Sequence, residues 1–144
     1  LKHALSLALR HFQPLGGLLV WPPESDEPYV RIHGDSSGIS LTVAESGADL
    51  RRLCGDGPRD SAEFRPLVPC LDVAREQASV IALQVTHFPG RGFSIGVTAH
   101  HAVIDGRTVH MFVKSWAHLC RAVRSDGDTA GLPPELTPFY DRSA

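Results

Sequence analysis

The chain has 144 residues, of which 42% are hydrophobic, and this length accommodates one compact domain but not two full ones. Its 14 Lys and Arg residues nearly balance its 16 Asp and Glu residues, so the formal net charge is only −2. This balance argues against a nucleic-acid-binding surface, and the lack of any basic run longer than two residues argues against a polybasic membrane anchor. Its apolar runs are also far shorter than the roughly 20 residues needed to span a bilayer.

The first elements are predicted to be a helix and a β-hairpin. In residues 1–12 the apolar side chains recur at the spacing of one helix face, and the Pro-Leu-Gly-Gly sequence that follows ends the helix. The run Leu18–Trp21 is predicted to be a strand, with Tyr29–His33 as its partner across a proline-rich turn.

The middle of the chain is predicted to contain a strand, a short helix and irregular segments. Ser40–Ala44 is the strand, and Glu45–Leu53 is the helix, with Ser46 as its candidate N-cap. Residues 54–61 form a loop, and two prolines favour extended chain over Arg65–Leu71.

A second hairpin and a long helix follow. Val80–Phe88 and Phe93–Ala99 are rich in β-branched and aromatic residues, and a Pro-Gly-Arg-Gly sequence between them offers two glycines for positive φ. An apolar stripe predicts a helix over Arg107–Arg124, with Phe112 and Trp116 in the core.

Together these elements predict an α/β fold in which helices pack on a mixed β-sheet. Residues 1–124 are expected to form this domain, and the turn-rich residues 125–144 to run over its surface as a connector. The chain starts at Leu1 inside a helix-like pattern, and its only methionine is Met111, so we expect a fragment of a longer protein.

Three widely spaced cysteines form neither a disulfide framework nor a metal-binding pattern. Cys54 and Cys70 lie in predicted loops without a neighbouring base, and Cys120 lies on the apolar stripe, where it is expected to be a buried, inert thiol. This pattern favours a reducing, intracellular compartment.

The segment with the most chemical character is His-His-Ala-Val-Ile-Asp-Gly, residues 100–106, between the second hairpin and the long helix. An imidazole can exchange a proton near neutral pH, so either His100 or His101 could accept a proton there. Asp105 could orient a histidine ring, or cap the following helix and hold the loop. Gly106 is expected to permit a tight turn that a side chain would block.

Two other interpretations of this region remain open. The histidines could be structural loop residues at the end of a strand. A metal site could also use the ligands crowded into this third of the chain, which are His87, His100, His101, Asp105, His110 and His118. However, neither His110 nor His118 lies one helical turn from a second ligand, so we expect no metal. Trp21 either joins the core or lines a cleft.

The residues 100–106 match the HHxxxDG form of the HxxxD motif of CoA-dependent acyltransferases, which include chloramphenicol acetyltransferases and the condensation domains of peptide synthetases. The segment LKHALSLALRHFQPLGG resembles the first helix and PLAG turn of plant BAHD acyltransferases. Five further segments resemble the branch of this family that acts on anthocyanins and phenolic glucosides, which includes malonyltransferases. They are LTVAESGADLRRL, EFRPLVP, ALQVTHFPGRGFSIGVTAHHAVIDG, FVKSWAHLC and LPPELTPFYDRS. The resemblance extends over nearly the whole chain.

The resemblance implies a chloramphenicol acetyltransferase-like half of a two-domain, cytoplasmic acyltransferase. Its reaction would be O-acyl transfer from acyl-CoA, with malonyl-CoA as one candidate donor, to a phenolic or flavonoid glucoside. In that family His101 would be the general base, Asp105 and Gly106 would support the site structurally, and His100 would be a neighbour of the site. Acyl-CoA would be a co-substrate, and no cofactor would be bound permanently.

Three departures from the family pattern matter. Gly16 replaces the alanine of PLAG, and the chain has no counterpart of the family's opening strand or of its second domain with the DFGWG motif. The resemblance therefore implies a missing C-terminal half that holds much of the CoA site. The alternative expectations are a non-catalytic half-domain that binds a partner and self-associates through an exposed apolar face, and a metal hydrolase.

Overall fold

The computed structural model describes residues 1–25, 27–32, 38–126 and 131–140. The helices within them are α1 (Lys2–His11), α2 (Leu50–Cys54) and α3 (Gly106–Asp126). The strands are β1 (Leu18–Val20), β2 (Tyr29–Arg31), β3 (Ser40–Glu45), β4 (Gln77–Ser79), β5 (Ile81–Phe88) and β6 (Gly92–Ala99). Short 3-10 turns lie at Gln13–Gly16, Ser61–Glu63, Arg65–Leu67 and Pro134–Leu136.

The strands form two small sheets, and the predicted α/β class is confirmed. One sheet has the antiparallel order β2-β1-β4, and the other has the mixed order β3-β5-β6, with β3 parallel and β6 antiparallel to β5. Both predicted hairpins are present. The second turns at Gly90 and Gly92, whose φ values of 69° and 138° favour glycine, as predicted. The two sheets separate at Val80, the residue between β4 and β5.

Helices α1 and α3 pack against each other over one end of the mixed sheet. Phe12 and Phe112 meet edge to face with ring centroids 5.4 Å apart, and Phe112 stacks against Trp116 at 6.4 Å. The indole N–H of Trp116 donates to the carbonyl of Leu1 at 3.1 Å. Phe112 and Trp116 are almost fully buried, which confirms their predicted place in the core.

The other face of the mixed sheet is covered by irregular chain that follows α2. Gln84 is buried on β5, and its side-chain amide donates to the Pro66 carbonyl at 2.6 Å. The hydroxyl of Thr98 on β6 donates to the Pro69 carbonyl. Gly96 lies opposite Gln84 in the register and leaves room for this close backbone approach.

Helix α2 is shorter than the helix predicted over Glu45–Leu53. Glu45 belongs to strand β3, and the helix begins only at Leu50. Its N-cap is Asp49, whose carboxylate accepts a backbone N–H at 3.0 Å, so the prediction of Ser46 as N-cap was wrong. The Ser46 hydroxyl instead accepts a backbone N–H two residues on and closes a separate turn.

Three further boundaries differ from the prediction. Arg65–Leu71 is not extended throughout, because Arg65–Leu67 forms a 3-10 turn. Cys54 ends helix α2 rather than lying in a loop. Strand β4 was not predicted, because of its three residues only Ala78 is buried and no alternation marks the run. The predicted strand end at His33 lies outside the described residues.

Residues 131–140 lie across the two long helices. The hydroxyl of Ser115, which is buried on α3, donates to the carbonyl of Leu136 at 2.8 Å. The hydroxyl of Tyr140 donates to the carbonyl of His11, at the end of α1, at 2.9 Å. The remaining predicted connector residues, 127–130 and 141–144, lie outside the described residues, and the connector role stays a prediction. No helix among the described residues is both long and apolar enough to cross a membrane.

Candidate functional site

The turn of residues 100–105 is fixed by backbone hydrogen bonds on leaving strand β6. The amide of His100 donates to the carbonyl of Val80 at 2.8 Å, which holds the end of the hairpin. The carbonyl of His100 accepts from the amides of Val103 and Ile104 at 3.0 and 3.3 Å. Ile104 is only 6% exposed and fastens the turn to the core. The two histidines therefore lie on a short, anchored segment between a strand and a helix.

Asp105 caps helix α3. Its Oδ1 accepts the backbone N–H of Thr108 at 2.8 Å, and its own carbonyl accepts the amide of Val109 at 3.1 Å. The hydrogen bonds from Thr108, backbone first and hydroxyl second, lower the pKa of Asp105, and Arg107 adds to the effect. Of the two roles open from the sequence, the structure shows the cap, and Asp105 makes no hydrogen bond to either histidine among the described residues.

His101 is exposed on this turn. Among the described residues no hydrogen bond or ion pair engages its side chain, so its imidazole is available to a substrate. A neutral imidazole can accept one proton, which is the task of a general base toward a hydroxyl group. The anchored backbone on either side sets the position from which the His101 side chain extends.

His100 has a different environment. It is half-buried, its ring centroid lies 5.5 Å from that of Trp21, and the two planes are tilted by 57°. Its Nδ1 also accepts the backbone N–H of Ala102 at 3.4 Å. His100 is therefore a packed residue of the turn, whereas His101 is the more accessible of the two.

Trp21 is half-buried and packs against the main apolar cluster, and it also borders a cleft, so it occupies both of the positions left open by the sequence. This Trp21 cleft has a volume of about 440 Å³ and is lined by Val20, Trp21, Pro22, Pro23, Arg31, Ala74, Arg75, Glu76 and Gln77. No pattern in the sequence predicts the contact between Arg31 and Gln77, because they lie 46 residues apart and strand β4 was not predicted. The cleft adjoins the turn through the contact between Trp21 and His100.

A second cavity lies under the same turn on the helix side. It has a volume of about 290 Å³ and is bordered by Phe12, Pro14, Leu15, Val30, Val103, Ile104, Thr108, Met111, Pro138, Phe139 and Tyr140. Burial here raises the pKa of Tyr140, whose hydroxyl binds the end of α1. Polar and apolar surface both line the cavity, and neither histidine of the turn borders it.

The steric reason predicted for Gly106 is wrong. A Cβ atom built on Gly106 meets nothing within 4 Å, and its φ is not positive. Gly106 is the first residue of α3, where most side chains are accommodated. Its supporting role at the site stays a prediction that rests on the motif.

The crowded titratable residues do not converge. Within the described part of the chain, no group of three or more His, Cys, Asp or Glu side chains could hold a metal ion. His87 lies instead beside Glu45, with Nδ1 3.7 Å from the carboxylate, at an exposed end of the mixed sheet. All three cysteines are free; Cys54 and Cys70 are exposed, and Cys120 is half-buried.

Curated proteins match this chain over almost its whole length. Malonyl-CoA:anthocyanidin 5-O-glucoside-6''-O-malonyltransferase of Arabidopsis thaliana is 50% identical over 143 residues, which are 99% of this chain and 31% of that protein. Phenolic glucoside malonyltransferase 1 of Bemisia tabaci is 44% identical over 142 residues, covering 99% and 30%. Agmatine coumaroyltransferase of Arabidopsis thaliana is 47% identical over 145 residues, again covering 99% and 30%. The chain therefore spans about a third of the length of these relatives.

A solved structure and a family model agree with these matches. The crystal structure of F. sporotrichioides TRI101 complexed with coenzyme A and T-2 superposes with a TM-score of 0.55 at 16% identity, over 83% of this chain and 31% of that one. At this identity the likeness shows the fold alone. The model described as the Transferase family matches residues 1–129. The chain therefore belongs to the Transferase family, the BAHD acyltransferases.

Proposed function

We propose that this chain supplies the general base of an acyl-CoA-dependent O-acyltransferase, with His101 as that base. His101 would remove the proton of an acceptor hydroxyl, whose oxygen attacks the thioester carbonyl of acyl-CoA. The tetrahedral intermediate would collapse, form the ester and release CoA as the thiol. The observation that carries the proposal is the exposed His101, held on an anchored turn in a chain of this family.

Asp105 and Gly106 are proposed to act on the position of the base rather than on the substrate. The Asp105 carboxylate is occupied by the first turn of α3, so it fixes where the helix starts and thereby where the turn ends. Gly106 begins that helix, and His100 forms the packed neighbour on the strand side of the turn. The backbone position of the base is therefore set before the acceptor binds, and the acceptor would have to order only the imidazole side chain.

The proposed donor is malonyl-CoA and the proposed acceptor class is a phenolic or flavonoid glucoside. Several similar relatives are named for this transfer, at 43–50% identity. Agmatine coumaroyltransferase, at 47% identity, is named for another acyl group and another acceptor. Identity within this third of the protein therefore supports acyl transfer more strongly than it supports one substrate pair.

The proposal includes a partner and a location. CoA thioester and acceptor are substrates, and no cofactor is held permanently. The remaining two-thirds of a relative's length would supply the opposing wall of the site, which excludes water and stabilises the charge that develops on the thioester oxygen. Free, partly exposed thiols support action in the reducing cytoplasm.

A chimeric enzyme tests the proposal. In it, this chain replaces the matched 31% of the Arabidopsis anthocyanidin malonyltransferase, with which it is 50% identical. Release of CoA from malonyl-CoA is then measured with a phenolic glucoside as acceptor. We expect activity in the chimera, and His101→Ala should reduce kcat by about 10²–10⁴-fold, the usual contribution of a general base.

His110→Ala is the matched control, because His110 is also exposed and lies along α3, away from the turn. It should leave CoA release unchanged. Full activity of His101→Ala would remove His101 as the base. A folded chimera that releases no CoA, beside an active parent enzyme, would favour the non-catalytic binding module instead.

A further inference from the structure

His100 binds three successive backbone amides of the turn that follows His101. Its carbonyl accepts the amides of Val103 at 3.0 Å and Ile104 at 3.3 Å, and its imidazole Nδ1 accepts the amide of Ala102 at 3.4 Å. The peptide that joins His101 to the next residue is therefore held by a side chain, whereas the two peptides after it are held by backbone. Only the first of these bonds depends on which side chain stands at position 100.

This side-chain bond has the form of an Asx turn. In an Asx turn, the side-chain oxygen of an Asp or Asn accepts the backbone N–H two residues further along the chain. The Nδ1 atom of His100 is attached to Cγ, as that oxygen is, and it binds the N–H two residues on in the same way. The ring of atoms closed by the bond contains both φ and ψ of His101. The bond therefore restricts the backbone of the proposed base.

The imidazole of His100 is itself held by packing on Trp21. The two ring centroids lie 5.5 Å apart with their planes tilted by 57°, and Trp21 packs against the main apolar cluster. The backbone N–H of His100 donates at 2.8 Å to the carbonyl of Val80, which is fully buried. The ring and the backbone of His100 both contact ordered parts of the fold, so the Nδ1 acceptor is in place before a substrate binds.

We propose that His100 is a positioning residue for the general base, and that its Nδ1 sets the direction in which the His101 imidazole extends. This inference rests on the proposed function, because it takes His101 as the base. His100 would neither bind the acceptor nor exchange a proton with it. A misplaced catalytic group lowers the rate of the bound complex, so the contribution of His100 should appear in kcat rather than in KM.

A packing role and a positioning role for His100 predict different effects of substitution. If only the contact with Trp21 matters, phenylalanine should replace His100 well, because it keeps an aromatic ring but cannot accept an N–H. If the Nδ1 acceptor matters, asparagine should replace it better, because its Oδ1 can close the same turn without a ring. The two substitutions therefore separate the hydrogen bond from the packing.

The first test is CoA release by the chimeric enzyme that carries this chain. His100→Phe should lower kcat by about 10–100-fold with KM nearly unchanged, as expected for a misplaced base. His100→Asn should recover most of that loss. His110→Phe is the matched control, since it makes the same change at an exposed histidine along α3, and it should leave kcat and KM unchanged.

Amide exchange of the isotope-labelled 144-residue chain, followed by NMR, tests the same bond without turnover. In His100→Phe, exchange should rise at Ala102 but not at Val103 or Ile104, whose amides bind the carbonyl of His100. His100→Asn should restore the protection of Ala102, and His110→Phe should not disturb it. If circular dichroism shows that His100→Phe is unfolded, His100→Leu replaces it with the same expected results, because leucine also lacks an acceptor.

Three outcomes would overturn the inference. They are an unchanged kcat in His100→Phe, a His100→Asn variant no more active than His100→Phe, and a loss of kcat without faster exchange at Ala102. The last of these would mean that the His100 ring contacts the substrate directly.

The two proposals fail in distinguishable ways. If His101→Ala keeps full activity, His101 is not the base and the proposed function is wrong, while the exchange at Ala102 still shows whether His100 holds the turn. If His101→Ala loses activity and His100→Phe keeps it, His101 remains the base and only the positioning role of His100 is wrong.

Discussion

The two faces of strand β5 are both buried, but they are covered in different ways. Ile81 and Leu83 face helices α1 and α3 and join one apolar cluster with Trp116. Gln84 and Thr86 face the irregular chain after α2, and both are polar and almost fully buried. One strand therefore contacts a helical layer on one side and a segment without regular structure on the other.

The difference shows two ways of covering a sheet. The helical layer is held by apolar area that excludes water, and this attraction is non-directional. The irregular layer is held by directed bonds, from Gln84 and Thr98 to the carbonyls of Pro66 and Pro69, and by the absence of a side chain at Gly96. We expect the first layer to contribute most of the stability and the second to be sensitive to small changes of shape.

The largest expected loss of stability comes from removing a large buried side chain of the helical layer. Trp116→Ala removes a side chain that is 1% exposed, together with its stacking on Phe112 and its hydrogen bond to Leu1. Loss of a large buried aromatic residue costs about 3–5 kcal/mol of unfolding free energy. Urea denaturation followed by circular dichroism measures it.

Phe139→Ala is the control for that measurement, because Phe139 is 83% exposed in the segment of residues 131–140 that lies across the helices. It should change the unfolding free energy by about 0.5 kcal/mol or less. Similar losses in the two variants would mean that the helical layer is not the main source of stability, and the comparison of the two faces would fail.

The helical layer was predictable from the sequence because its pattern is local. Apolar residues at helical spacing marked α1 and α3, and the same stripe placed Phe112 and Trp116 in the core. The irregular layer had no such pattern. Its contacts with the sheet are hydrogen bonds from side chains to backbone carbonyls, between residues 18 and 29 positions apart. The 3-10 turn at Arg65–Leu67 and, in the other sheet, strand β4 were also missed, because three residues are too few to show a repeating apolar pattern.

In the candidate site, too, the features with a local sequence pattern were predictable and the contacts between distant segments were not. The motif marked His101 and Asp105, and the position of Asp105 before an apolar stripe was enough to suggest the N-cap that the structure shows. The contact of His100 with Trp21 joins chain segments far apart in sequence, so the cleft could not be predicted. The steric reason predicted for Gly106 was wrong because a tight turn was assumed where the helix begins.

A smaller loss is expected from crowding the irregular layer. In Gly96→Ala, the new Cβ would lie 2.0 Å from the carbonyl oxygen of Leu67 and 2.8 Å from the Cα of Val68, so the backbone must move. Inserting an atom into a packed site costs about 1–3 kcal/mol. The displaced backbone should also release the Gln84 side chain, and amide exchange near Pro66 should rise.

Gly47→Ala is the matched control, since nothing lies within 4 Å of a Cβ built there and its φ is not positive. It should leave both stability and amide exchange unchanged. If Gly96→Ala is equally silent, the irregular layer adapts freely, and its hydrogen bonds to the sheet do not restrict it.

The smallest expected effect lies at the junction of strand β6 and helix α3, where Asp105 caps the helix. Its pKa is lowered by the backbone N–H of Thr108, so the charged form is stabilised by folding. For a carboxyl group whose pKa falls on folding, this stabilisation is complete above the unfolded pKa of about 3.9 and is lost as the pH falls through the folded pKa. Wild type should therefore lose the contribution of Asp105 under acidic conditions.

Two substitutions separate the cap from its charge. Asp105→Ala removes both, so it should lower Tm at pH 7, and the difference from wild type should shrink below about pH 4. Asp105→Asn keeps a good cap without a titrating group, so it should stay close to wild type at pH 7 and show a flatter pH dependence. Amide exchange at Thr108 and Val109 locates the change, because these amides bind the side chain and the carbonyl of Asp105. If the difference in Tm between Asp105→Ala and wild type were constant from pH 3 to pH 7, the Asp105 carboxylate would not be held by Thr108. The turn that carries His101 would then be held only by its hydrogen bonds to the end of the strand and by the buried Ile104.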